Sequence, residues 1–186
     1  SGFTAGSTGS MNERLEHEFA KLHNQKFAIT ANSGTSTLHA SLEAVGVSPG
    51  DEVLSPALTV IMDATATIHA NAVPVFVDID PDTFTMDPDD LEKKITPKSK
   101  ALIVVSLYGL PADMDKIMQI ARKYNLKVIE DNAQSFLSKY KERLIGTIGD
   151  IASYSFENTK HLSCGEGGII ITNNKHLAEK VRKIGG

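Results

Sequence analysis

The sequence predicts an α/β fold: an open, mostly parallel sheet with helices on both faces. Three observations carry this prediction. Short apolar runs alternate with stretches of helical spacing from Phe27 to Thr172. Several of these runs, such as Ala101-Leu-Ile-Val-Val105, are apolar at every position, as strands covered on both faces must be. Turn residues mark almost every change of period, the pattern of repeated βαβ units.

Taken in order, residues 1–10 are rich in Gly, Ser and Thr and read as an N-terminal arm. Met11 to His23 has helical spacing through Leu15, Phe19 and Leu22. Phe27 to Ala31 is a short strand, and Thr35 to Val45 a helix with Leu38, Leu42 and Val45 on one face and Gly46 as its stop. After the turn Ser48-Pro-Gly-Asp51, strands at Glu52–Ser55 and Val73–Asp78 flank a helix from Thr59 to Asn71. Asp80-Pro-Asp-Thr83 turns the chain and a short helix follows Asp87. Next come the strand Ala101–Val105, the helix Asp113–Tyr124 with Met114, Ile117, Ile120 and Ala121 on its inner face, and the strand Lys127–Glu130. Strands at Ile151–Ser155 and Gly168–Thr172 flank an irregular loop, and a helix begins near Ala178.

Composition narrows the function. A chain of 186 residues supports one core, so one domain over residues 11–186 is expected. The net charge of −4, with Lys and Arg dispersed, offers no basic face for a nucleic acid. No apolar run reaches the roughly 18 residues of a spanning helix, and the first residues lack a signal-peptide pattern, so no membrane partner and a cytoplasmic location are expected. Cys164 is the single cysteine, which excludes an internal disulfide, and the six histidines show no metal-ligand spacing, so no metal is expected. Packing beside the following Gly-Glu-Gly-Gly turn is the expected role of Cys164.

Chemistry gathers at strand ends, where open α/β sheets bind ligands. Asn32-Ser-Gly-Thr-Ser36 joins a strand to a helix; exposed N–H groups and the helix dipole there favour a phosphate, and Gly34 permits close approach. The acidic pair Glu130-Asp131 ends an apolar strand and offers a carboxylate to a protonated pyridine nitrogen. Lys160, on a short loop after Ser155, offers an amine for a Schiff base to pyridoxal phosphate (PLP). Each has an ordinary reading as well: a helix cap, a strand-end loop cap, a solvated surface lysine. Their shared topological position is what links them.

A longer series of motifs runs in order along the chain: Ser33-Gly-Thr35, Gly50-Asp-Glu-Val53, Pro74-Val-Phe-Val-Asp-Ile-Asp80, Leu107-Tyr-Gly109, Ile129-Glu-Asp131 with Ala133-Gln134, Gly146-Thr147 with Gly149-Asp150, and Ser155-Phe156 through Lys160 to Gly165-Glu-Gly-Gly168. This series resembles the DegT/DnrJ/EryC1/StrS family of PLP-dependent sugar aminotransferases. The resemblance implies the large domain of a fold type I PLP enzyme, resembling aspartate aminotransferase, with a smaller C-terminal domain beyond the residues present and a homodimer with active sites at the subunit interface. It implies that Lys160 holds PLP and shuttles the substrate proton, that Asp131 pairs with the pyridine nitrogen, and that Gln134 bonds the phenolic oxygen. Gly34, Thr35 and Ser155 match the phosphate cup. Val60 stands where the family commonly stacks an aromatic ring on the cofactor, so apolar contact replaces stacking.

The implied reaction transfers an amino group, from glutamate as the family's usual donor, to a keto group of a nucleotide-linked sugar, with pyridoxamine phosphate as the cofactor's other form. Two rival reactions stand beside it, together with a non-enzyme reading, a PLP-binding or purely structural domain that keeps the fold, against which the complete set of Asp131, Gln134, Ser155 and Lys160 argues. One is amination of a cyclitol or other ring ketone. The other is a sugar dehydratase of the same family, which carries histidine in place of the lysine, so that Lys160 argues against it.

Overall fold

The computed structural model describes residues 9–185; most of the N-terminal arm, residues 1–8, lies outside the described residues. The chain enters at α1 (Met11–Leu22), which Ser10 starts with a capping box: its hydroxyl accepts from Glu13 N–H while the Glu13 carboxylate reaches back to Ser10 N–H. Then follow β1 (Phe27–Ala31), α2 (Gly34–Ala44), β2 (Glu52–Pro56), α3 (Met62–His69), β3 (Val73–Val77), α4 (Pro88–Lys94), β4 (Ser99–Val105), α5 (Met114–Tyr124) and β5 (Lys127–Asp131). A small hairpin, β6 (Lys139–Tyr140) and β7 (Arg143–Leu144), precedes β8 (Ile151–Ser155), β9 (Gly168–Thr172) and α6 (Lys175–Gly185).

The main sheet has the order β1-β9-β8-β5-β4-β2-β3. All pairs from β8 through β5, β4 and β2 to β3 are parallel, and only β9 runs against its neighbours. Residues 156–167 explain this reversal. They form no crossover helix, so the chain leaving β8 returns in the opposite direction beside it. Elsewhere the crossovers are helical. With right-handed connections, the outward step from β2 to β3 puts α3 on one face, and the return through β4 to β5 puts α4 and α5 on the other.

Two-residue alternation then divides the core. Ile103, Ile129, Ile151 and Ile170 pack toward α2, α3 and α6. Leu102, Val104 and Val128 pack toward α4 and α5, and Ala152, Ile169 and Ile171 toward α1. The predicted strands and helices are present, and four details differ from the sequence reading. The α3 helix is shorter than expected, because Thr59 bonds Asp63 from the loop before it and Asn71 lies at φ 57° after it. Leu22 is exposed, and buried His23 takes its place, stacked on Phe19 with ring centroids 4.4 Å apart. The β6–β7 hairpin was not expected; its turn places Lys141 at φ 53°, without the Asn-Gly pattern that announces such turns. Cys164 is exposed rather than packed, its Sγ 3.0 Å from the Glu166 carbonyl oxygen.

Candidate active site

Parallel register brings the ends of β5, β4 and β8 to one edge of the sheet, since Asp131 pairs with Val105 on one side and Ser153 on the other. The end of β1 joins them through β9, where Gly168 faces both Ala31 and Ser155. The loops after β1, β2, β4, β5 and β8 therefore converge, and they carry the residues that the sequence singled out.

Following β1, α2 begins at Gly34, with Ser33 as its cap accepting from Ser36 N–H at 3.1 Å. The first-turn N–H groups of Gly34 and Thr35 have no intrahelical acceptor, which makes them anion donors. Gly34 is required by space: a Cβ there would sit 2.8 Å from Ser155 Cβ. This contact brings the helix start and the Ser155 hydroxyl together. Deeper in the same seam, the Thr37 and Ser153 hydroxyls bond at 2.6 Å and fix α2 onto β8.

Asp131 ends β5, is only 6% exposed, and accepts from Ala133 N–H at 2.9 Å. Burial pushes its carboxyl up from the ordinary range, while the Ala133 N–H, a hydrogen bond from Asp63 and the charge of Lys160 pull it down. Lys160 lies in the β8–β9 connection, half-buried, its backbone N–H bonded to Glu157 O at 3.0 Å. It lines a small cavity with Asn132, Ala133, Ser155, His161 and Leu162. Gln134 accepts from Tyr108 N–H at 3.3 Å, which leaves its NH2 group as a donor. Val60, in the loop after β2, is exposed among Leu58, Ile61 and Met62.

Of two further carboxyl groups here, Glu130 was named in the sequence only as the neighbour of Asp131, and Asp63 went unnoticed. Glu130 belongs to the other face, where it accepts from the N–H groups of Gly146 at 2.6 Å, Ile148 at 2.7 Å and Gly149 at 2.6 Å. Gly146 is obligatory, since at φ 80° a Cβ would strike the Tyr154 hydroxyl. The spaced glycines after the acidic pair were the available signal. Asp63, in the first turn of α3, lies against Asp131. Its signal was a lone acid on the face that also carries buried Ala66, Thr67 and Ala70.

This edge brings together free helix N–H groups, a buried carboxyl group and a primary amine. A sequence profile described as the DegT/DnrJ/EryC1/StrS aminotransferase family matches residues 3–185. The chain belongs to that family.

Three relatives illustrate the likeness of this DegT/DnrJ/EryC1/StrS member. It is 44% identical to the GDP-perosamine synthase of Escherichia coli O157:H7 over 174 residues, 94% of this chain and 48% of that protein. Its fold superposes on S. venezuelae DesV with a TM-score of 0.91 at 40% identity, covering 96% of this chain and 49% of that one. For NtdA of Bacillus subtilis, solved with bound cofactor PMP, the TM-score is 0.88 at 38% identity, covering 93% and 39%. The chain spans about half the length of the curated relatives it matches. Its α/β architecture, a mostly parallel seven-stranded sheet with helices on both faces, is shared with these solved structures.

Proposed function

We propose that this chain is the cofactor-bearing part of a PLP-dependent aminotransferase that moves an amino group, with glutamate as donor, to a keto group of a nucleotide-linked sugar. The observation that carries the reading is the convergence of Lys160, Asp131, Ser155 and the α2 start on one sheet edge. The likeness to a GDP-perosamine synthase supports the sugar class, and the PMP-bound neighbour supports the cofactor.

The residues fit such a group chemically. When bound, PLP supplies an electron-poor ring that stores the charge left on a deprotonated substrate carbon. Gly34 and Thr35 N–H, with the Ser155 hydroxyl, bind its phosphate. Asp131 balances the charge of the ring nitrogen, and its burial strengthens that attraction. The Gln134 NH2 donates to the phenolic oxygen, and Val60 gives the ring an apolar contact. Lys160 would hold the cofactor through its amine and, as a free amine, would move the proton at the amino-bearing carbon. The same reading includes a cytoplasmic homodimer. Exposed Leu58, Ile61, Met62, Ile68 and Tyr108 supply the apolar surface for a second subunit near the site.

The test is the visible spectrum of the full-length protein with PLP, before and after borohydride, followed by mass mapping. A reducible band trapped on Lys160 is expected. Lys160→Ala should abolish the band and lower turnover of a nucleotide ketosugar with glutamate by about 10²–10⁴-fold. An unchanged band in that variant overturns the assignment of Lys160, and amination of a cyclitol ketone in place of every nucleotide sugar overturns the substrate class.

A further inference from the structure

Asp63 is a buried carboxyl group that the reaction outlined above leaves unused. It is 1% exposed, its Oδ2 accepts from the Thr59 hydroxyl at 2.6 Å, and its Oδ1 meets no donor among the described residues. The group within hydrogen-bonding range is the carboxyl of Asp131. Two ionised carboxylates cannot share a site this dry, so the pair retains one proton.

The surroundings decide which partner keeps it. Asp131 accepts from Ala133 N–H at 2.9 Å and feels the positive charge of Lys160, and both favour its anion. Asp63 has burial against it first and the negative charge of Asp131 second. The Thr59 hydroxyl and the amino-terminal end of α3 favour an Asp63 anion. Against them stand burial, the largest influence, and the negative charge of Asp131. The Oδ1 of Asp63, without a donor, is the natural seat of the proton.

We propose that Asp63 is the positioning residue of Asp131: a carboxylic acid whose Oδ1 carries the proton the pair shares and donates it to the Asp131 carboxylate, while Thr59 holds the other oxygen. This rests on the reading of Asp131 as partner of a pyridinium nitrogen. With two donors, Ala133 N–H and Asp63 O–H, Asp131 is fixed in orientation and made less basic. A less basic Asp131 would leave the proton on a pyridine nitrogen held against it.

The experiment uses the full-length holoprotein. Difference infrared spectra of wild type against Asp63→Asn at neutral pH should contain the carbonyl stretch of a protonated carboxyl group, lost in the variant; its absence overturns the proposal. PLP affinity and the pH midpoint of the visible band are then followed in Asp63→Ala and Asp63→Asn. Asp63→Ala should weaken PLP about tenfold, the worth of one charge-assisted hydrogen bond, and displace the midpoint. Asp63→Asn should recover most of both, because the amide still donates to Asp131 and accepts from Thr59. Equal behaviour of the Ala and Asn variants, or an Ala variant matching wild type, overturns the proposal. If Asp63→Ala does not fold by circular dichroism, the infrared signal decides alone. Asp131→Asn separates the two readings. If it weakens PLP while Asp63→Ala does not, the Asp63 proposal alone fails; if it binds PLP as wild type with an unchanged band, the reading of Asp131 fails.

Discussion

Glu130 and Asp131 are neighbours on one strand, both carboxyl groups and both buried, yet they meet opposite surroundings. Glu130 points to the α5 side and is met by three backbone N–H groups from one glycine-punctuated segment. Asp131 points to the α2 and α3 side and is met by one backbone N–H, a second carboxyl group and the charge of Lys160. Burial pushes both carboxyls up; on Glu130 the opposition comes from three hydrogen bonds to Gly149, Gly146 and Ile148. The difference teaches how to tell a structural buried acid from a functional one. A carboxylate whose lone pairs are taken by the backbone ties segments together, while one left facing another acid and a lysine has capacity for a cationic ligand.

That contrast can be sharpened by titration. Because Asp63 has a raised value when folded, the folded state holds its proton more tightly than the unfolded state does. Its contribution to stability is therefore complete below the ordinary aspartate value of about 3.9 and is lost as pH rises through the folded value. Asp63→Asn has no proton to lose. Urea unfolding of the cofactor-free protein should show the variant gaining on wild type as pH rises above the ordinary aspartate value, at a slope of up to about 1.4 kcal/mol per pH unit. A gap that does not change with pH would mean that Asp63 ionises as freely folded as unfolded.

On the other side of the strand, Glu130→Ala strands three N–H groups, and stability should fall by about 3 kcal/mol in denaturant unfolding. The visible band of the folded, PLP-loaded variant should stay where it is, because nothing on the Asp131 side has changed. A shifted band would show that the two faces are coupled. The smallest effect is expected at the rim. Val60→Tyr should tighten PLP by about 0.5–1.5 kcal/mol through ring stacking, read by equilibrium titration. Weaker binding would mean that the Val60 position is too confined for a ring.

Much of this was legible in the sequence for a local reason. Strand and helix periods, the Ser33 cap, the stop at Gly46 and the inner face of α5 each depend on residues within one or two turns of one another. Lys160, Asp131 and the Ser33-Gly-Thr35 turn were recognisable because chemistry at strand ends follows from the α/β order itself. Which member of the acidic pair faced the α2 side was not fixed by periodicity, since alternation separates neighbours without naming the face.

The sequence by itself determined the α/β alternation, the family and the residue types that a PLP site needs. Tertiary structure alone decided the reversal of β9, the three-donor seat of Glu130 and the meeting of Asp63 with Asp131. The physical reason is range. Periodicity and capping are set by neighbours along the chain, whereas the charge state of a buried acid is set by whichever distant side chain the folded sheet brings against it.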